Sequence, residues 1–117
     1  MKIERFEDII AWQKARELTI AIYNTFDKSS DFKYKDQIES ASVSIMNNIA
    51  EGFERRTNKE FRKFLYIAKG SSGEVRSMLY LALDVKKIDE KTFRYLYDLA
   101  VEISKLLSGL IKSLKED

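Results

Sequence analysis

Residues 58–86 read NKEFRKFLYIAKGSSGEVRSMLYLALDVK, and the fold turns on whether this run is one helix or several shorter elements. Phe61, Phe64, Leu65, Ala68, Ser72, Val75, Met78, Leu79 and Ala82 recur at three- and four-residue steps along all of it. That is the period of an α-helix with one face turned to a core, and the two-residue period of a strand is absent. Thr57 followed by Glu60 has the form of a capping box, in which the hydroxyl accepts from a free N–H and the Glu reaches back. Gly70 and Gly73 each cost about 1 kcal/mol against Ala in a helix interior, so they are expected where another helix approaches closely. The spacing predicts one helix over 58–86.

The flanking sequence repeats the pattern. A helix is expected over 8–27, with Ala11, Ala15, Leu18, Ile22 and Phe26 as its stripe and Trp12, Thr19 and Tyr23 widening it. DKSSDFK, residues 27–33, reads as a polar loop, and a second helix is expected over 35–53 on Ile38, Ser42, Ile45 and Ile49. Asp89 caps a fourth helix whose stripe runs from Phe93 and Leu96 through Ala100, Ile103 and Leu107 to Leu114. Short connections force neighbouring helices to run antiparallel. The expected fold is therefore all-α, an antiparallel up-down-up-down four-helix bundle forming one domain over 1–117.

Composition agrees. The 117 residues contain no Pro and only four Gly, so little interrupts long helices. There is no Cys and no His, which removes disulfides, zinc–thiolate sites, Ser–His triads and the Glu-x-x-His motifs of di-metal bundles. No metal, no cofactor and no enzymatic activity are expected. The two carboxylates with a claim to partial burial, Glu51 and Glu74, lie near small-residue faces and are expected in hydrogen-bond networks. No signal peptide is expected, because Glu4, Arg5, Glu7 and Asp8 interrupt the N-terminal residues, and no run of about 18 apolar residues exists to span a membrane. The expected location is the cytoplasm.

Residues 40–50, SASVSIMNNIA, carry no charge in a chain that is 34% charged. A helix that is apolar or small all round is buried all round, whereas a lone bundle covers one side of each helix. The second helix is therefore expected to touch a second copy of the chain as well, in a homo-oligomer.

The net charge is only +2, but it is unevenly placed: residues 58–88 hold seven basic side chains against three acidic ones, while 1–32 and 89–117 each hold five against six. Arg55, Lys59, Arg62, Tyr66, Lys69, Gly73, Arg76 and Tyr80 follow steps of four and three along one side of the third helix. Cations so placed neutralise phosphates and tyrosines stack on bases. Arg55, Lys59, Arg62, Tyr66, Lys69 and Arg76 are the candidate contacts to RNA or DNA. The same pattern also describes the solvated face of an ordinary bundle helix. In the alternative reading the protein is an interaction scaffold that binds no nucleic acid and docks a protein partner through Trp12, Phe32 or Tyr95.

Three segments together carry a resemblance: FEDIIAWQKARELTIAIY (6–23), SASVSIMNNIAEGFERRTNKEF (40–61) and LYIAKGSSGEVRSMLYLAL (65–83). Nearly the whole chain resembles the four-helix proteins encoded in intervening sequences of bacterial 23S ribosomal RNA genes. The signature lies in NIAEG, then Arg-x-Thr-x-Lys-Glu-Phe, then IAKGS with a Glu three residues on. Its positions here are Asn48, Glu51, Gly52, Arg56, Glu60, Phe61, Ser71 and Glu74. The resemblance implies an antiparallel bundle assembling as a homopentamer, with no enzymatic activity. A related branch, the accessory protein of diversity-generating retroelements, binds nucleic acid and its reverse transcriptase. This chain has Met46-Asn47 where the family often has Pro-Ser, so the second helix is expected without a proline kink. Asn48 is expected to hydrogen-bond in the seam with the third helix, to Glu51 or Ser71.

Overall fold

The computed structural model describes residues 3–115. A 3₁₀ turn, Phe6–Asp8, leads into four helices: α1 (Ile10–Thr25), α2 (Phe32–Phe53), α3 (Asn58–Asp84) and α4 (Glu90–Ser113). No strand occurs among the described residues. α2 packs on α3, α3 on α4, and α1 on both α2 and α4, in a body 47 × 22 × 19 Å. All four helices contribute to one buried cluster, with Leu18 and Ile22, Ile38, Ile45 and Ile49, Leu65 and Leu79, and Leu96, Ile103 and Leu107 at its centre.

Polar side-chain contacts give the direction of three seams. Along α2, Tyr34, Gln37 and Ser44 meet Met78, Glu74 and Ser71 of α3 in descending order. Arg62, Ser72 and Tyr80 of α3 meet Leu114, Ala100 and Tyr97 of α4 in the same opposed sense. Lys14 and Glu17 of α1 meet Glu102 and Tyr95.

The helix ends differ from expectation in four places, one being the end of α1 at Thr25 instead of Asp27. The first helix does not begin at Asp8, which closes the 3₁₀ turn; α1 starts after Ile9, whose side chain offers no cap. The second begins at Phe32 instead of Lys35, because Asp31 inside the polar loop accepts a hydrogen bond from the Tyr34 amide and caps it. The third stops at Asp84, where Lys86 takes a left-handed φ of 63° and the Lys87 amide turns back to the Ala82 carbonyl at 2.8 Å. Thr57 and Asp89 cap α3 and α4 as expected: Thr57 Oγ1 accepts from the Glu60 amide and Asp89 Oδ1 from the Thr92 amide.

Within the chain no helix approaches Gly70 or Gly73 closely. A Cβ on Gly70 would meet nothing within 4 Å, and one on Gly73 would meet only Arg76, at 3.6 Å. At Gly52 in α2 an added Cβ would stand 2.7 Å from the Phe64 Cβ and 3.3 Å from the Phe61 carbonyl oxygen. Those atoms sit on or beside the α3 backbone and have little room to withdraw. The uncharged middle of α2 is also covered more fully by its own chain than a two-sided contact suggests. Ala41, Ser42, Ile45 and Ile49 are buried, Val43, Ser44, Met46, Asn48 and Ala50 are half-buried, and Ser40 and Asn47 are exposed. α1 and α3 flank this helix and the 3₁₀ turn touches it.

Two outcomes follow from these contacts. Gly52→Ala is expected to lower the unfolding free energy by about 1–3 kcal/mol through overpacking, read as a lower denaturant midpoint at unchanged slope. The Asp31 carboxyl is held below its ordinary value of 3.8 by the Lys87 ammonium, 3.0 Å away, and by the Tyr34 amide. A depressed carboxyl stabilises the fold above its unfolded value and loses that contribution as pH falls through its folded value. Stability of the unmodified protein is therefore expected to fall as pH drops below about 3.8, and Asp31→Asn should flatten that acid limb in thermal melts.

Candidate nucleic-acid interface

An α-helix turns once in about 3.6 residues, so Arg62, Tyr66, Lys69, Gly73, Arg76 and Tyr80 lie on one line along α3. The line faces outward on the side of α4, because its two ends touch that helix. At one end Arg62 Nη1 donates to the Leu114 and Lys115 carbonyls, at 3.2 and 3.3 Å. At the other, Tyr80 Oη donates to Tyr97 Oη at 3.2 Å, and its ring packs 5.2 Å from Phe93 and 5.3 Å from Tyr97. Lys59 is exposed one turn before Arg62. Arg55 leaves the row: its guanidinium bonds Glu51 at 2.7 Å and lies over the Phe64 ring at 4.6 Å, on the α2 side of α3.

The structure adds a second row that segment charges conceal. On α4 the same spacing aligns Arg94, Asp98, Val101, Lys105, Ser108 and Lys112, and Tyr97 beside them touches Tyr80. Because α4 runs against α3, Arg94 lies near Tyr80 and Lys112 near Arg62. The two rows hold six cations and one carboxylate, Asp98. Asp98 accepts a hydrogen bond from Arg94 at 3.5 Å. Glu102, the other acid of the α4 interior, faces α1, where Lys14 approaches it at 3.9 Å. Residues 89–117 sum to a negative charge, yet the face turned toward the α3 row is basic.

Individual side chains are held differently. Lys69, Lys105 and Lys112 are exposed and pair with no carboxylate among the described residues. Arg76 is half-buried, and its Nε is fully covered without an acceptor among the described residues. Tyr66 is 59% and Tyr80 50% exposed. The hydrogen bond to Tyr97, then partial burial, raises the Tyr80 phenol above its ordinary 10; the Arg94 and Arg76 charges oppose that shift.

The signature positions serve mainly the α2–α3 seam. Asn48 Nδ2 donates to the Ser44 carbonyl at 2.8 Å and to Ser44 Oγ at 3.0 Å. Ser44 Oγ in turn lies 2.8 Å from Ser71 Oγ. Asn48 thus reaches Ser71 through Ser44 and does not bond Glu51. Glu51 and Glu74, expected to be partly buried, are both exposed, Glu51 holding Arg55 and Glu74 accepting from Gln37 at 3.3 Å. Phe61 is buried edge-on to Phe53 at 5.9 Å, Glu60 closes the α3 cap, and Arg56 is exposed beside it. Among the described residues no group of three acids stands close enough to hold a metal ion. Of the three aromatic docking candidates, Trp12 is half-buried edge-on to Phe6 at 5.2 Å. Phe32 and Tyr95 are exposed, Phe32 at the start of α2 and Tyr95 beside Glu17 of α1.

Fold and surface define a class: a small all-α helical protein whose signature residues build a helix seam and whose charged tyrosine-bearing face lies on the next seam. The chain matches the family model of the 23S rRNA-intervening sequence protein over residues 7–109, and it belongs to that family. Its structure is similar to the crystal structure of a protein of unknown function from the S23 ribosomal protein family of Bacteroides thetaiotaomicron. The TM-score is 0.83 at 25% sequence identity, over 88% of this chain and 99% of that one. No curated protein sequence matches the chain significantly. No helix among the described residues is long and apolar enough to cross a membrane.

The Tyr80–Tyr97 contact is directly measurable. In an ultraviolet pH titration Tyr80 is expected to ionise above pH 10. Tyr97→Phe, which removes the hydrogen-bond partner, should bring that ionisation back toward 10.

Proposed function

We propose that the protein is a non-enzymatic, cytoplasmic up-down-up-down four-helix bundle that self-assembles and binds RNA or DNA along the α3–α4 face. The observation that carries the nucleic-acid reading is the alignment of the two rows: Arg62, Lys69 and Arg76 on one helix, and Arg94, Lys105 and Lys112 on its neighbour. Cations in that arrangement replace the counterions of a phosphate backbone, and binding of this kind weakens steeply with salt.

Assembly, as the homopentamer that the family resemblance implies, is supported by another side of α3. Ile67, Leu81 and Val85 are about half exposed toward α2, and Gly70 between them has open space before it. With Ser40 and Asn47 of α2, also exposed, they offer a surface of small and apolar residues. The basic row lies around the helix from this strip, so both are usable at once, and several copies of a weak site add avidity. The scaffold reading without nucleic acid draws on Phe32, 68% exposed at the start of α2.

Light scattering with and without a short RNA tests these readings together. The expected mass is a multiple of 13.7 kDa that rises with RNA at low salt. Gly70→Arg should reduce it to one chain, and Lys69→Glu, Arg76→Glu and Lys105→Glu combined should abolish RNA binding at unchanged helicity. RNA binding that survives the triple change rules out the basic face, and a single-chain mass for the unmodified protein rules out assembly.

A further inference from the structure

We infer that the α3–α4 face takes single-stranded nucleic acid, with unpaired bases stacked on Tyr66 and Tyr80 between the two rows of cations. The inference rests on the nucleic-acid reading above and names its substrate class. From Arg62 to Tyr80 the α3 row spans about 27 Å, and its two tyrosines stand about 21 Å apart. Tyr66 makes no hydrogen bond and no ring contact with any described residue, and most of its surface is open. Tyr80 is already oriented by Phe93 and Tyr97, so its ring loses little freedom when a base covers it.

A duplex keeps its bases stacked inside and presents phosphates outside. To a duplex, two of the six positions in the α3 row would offer neutral rings where Lys or Arg serves better. Tyrosines on a rigid helix cannot stack on bases that are paired and stacked inside a duplex, but they are stacking platforms for unpaired ones, as in sequence-tolerant single-strand binders. Lys69 lies between the two tyrosines on α3, and Lys105 occupies the opposed row on α4. Both are exposed and free of ion pairs among the described residues, so a strand stacked at both ends would run past them.

The test uses the full chain with a fluorescein-labelled single-stranded oligonucleotide and the duplex of the same sequence, at low salt. The single strand is expected to bind at least tenfold more tightly. Tyr66→Leu, at a position 59% exposed, should weaken single-strand binding roughly tenfold and leave duplex binding and helicity unchanged, and Tyr66→Phe should restore it. Tyrosine fluorescence should be quenched on binding the single strand only. Equal affinity for duplex and single strand, or a Tyr66→Leu variant that binds the single strand as before, overturns this inference and leaves the nucleic-acid reading standing. Failure of both probes to bind at low salt overturns both.

Discussion

The structure depends on how closely α2 can lie against α3, and that is set at Gly52. There the missing side chain lets the α2 backbone approach the Phe64 Cβ and the Phe61 carbonyl more closely than any other residue allows. Farther along the same seam Ser44 reaches Ser71, and Tyr34 Oη donates to the Met78 carbonyl at 2.6 Å. These contacts fix the rotation of α3 about its axis. Phe61, Leu65, Ala68 and Val75 turn inward, and Arg62, Tyr66, Lys69 and Arg76 turn outward beside α4. The seam that carries the family signature thus determines which way the basic face points without belonging to it.

Polar groups inside the bundle reinforce that rotation. Ser72 Oγ donates to the Ala100 carbonyl, and Thr19 Oγ1 contacts the Ala15 and Ser42 carbonyls. A buried hydroxyl without a partner is costly, so each pair admits one rotation and one axial shift of its helices. Leucine-rich faces alone tolerate neighbouring registers more readily. The hydroxyl pins therefore keep the α3 and α4 rows opposite each other.

Helix number, order and core were legible in the sequence because period and capping chemistry are local. Phe61 to Ala82 keep the helical step for more than three heptads, and Thr57 and Asp89 mark the starts of α3 and α4. The start of α2 is hidden in the sequence because its cap, Asp31, sits in a polar run, and the end of α3 because a lysine, instead of glycine, occupies the left-handed position. Small residues were legible as close-packing candidates, but which of them meets a helix of the same chain was not: Gly52 does, whereas Gly70 and Gly73 look outward.

The sequence by itself determined four helices, their inward faces and a basic stripe on the third, since each is a repeat along one helix and needs no partner to define it. Only the tertiary structure decided that Arg55 folds back on Glu51 and Phe64, and that Arg94, Lys105 and Lys112 join the stripe while Glu102 turns to α1. Charge summed along a segment is blind to the side of the helix on which each side chain emerges. Which side meets solvent, and which meets another helix, is settled by packing between residues far apart in the chain.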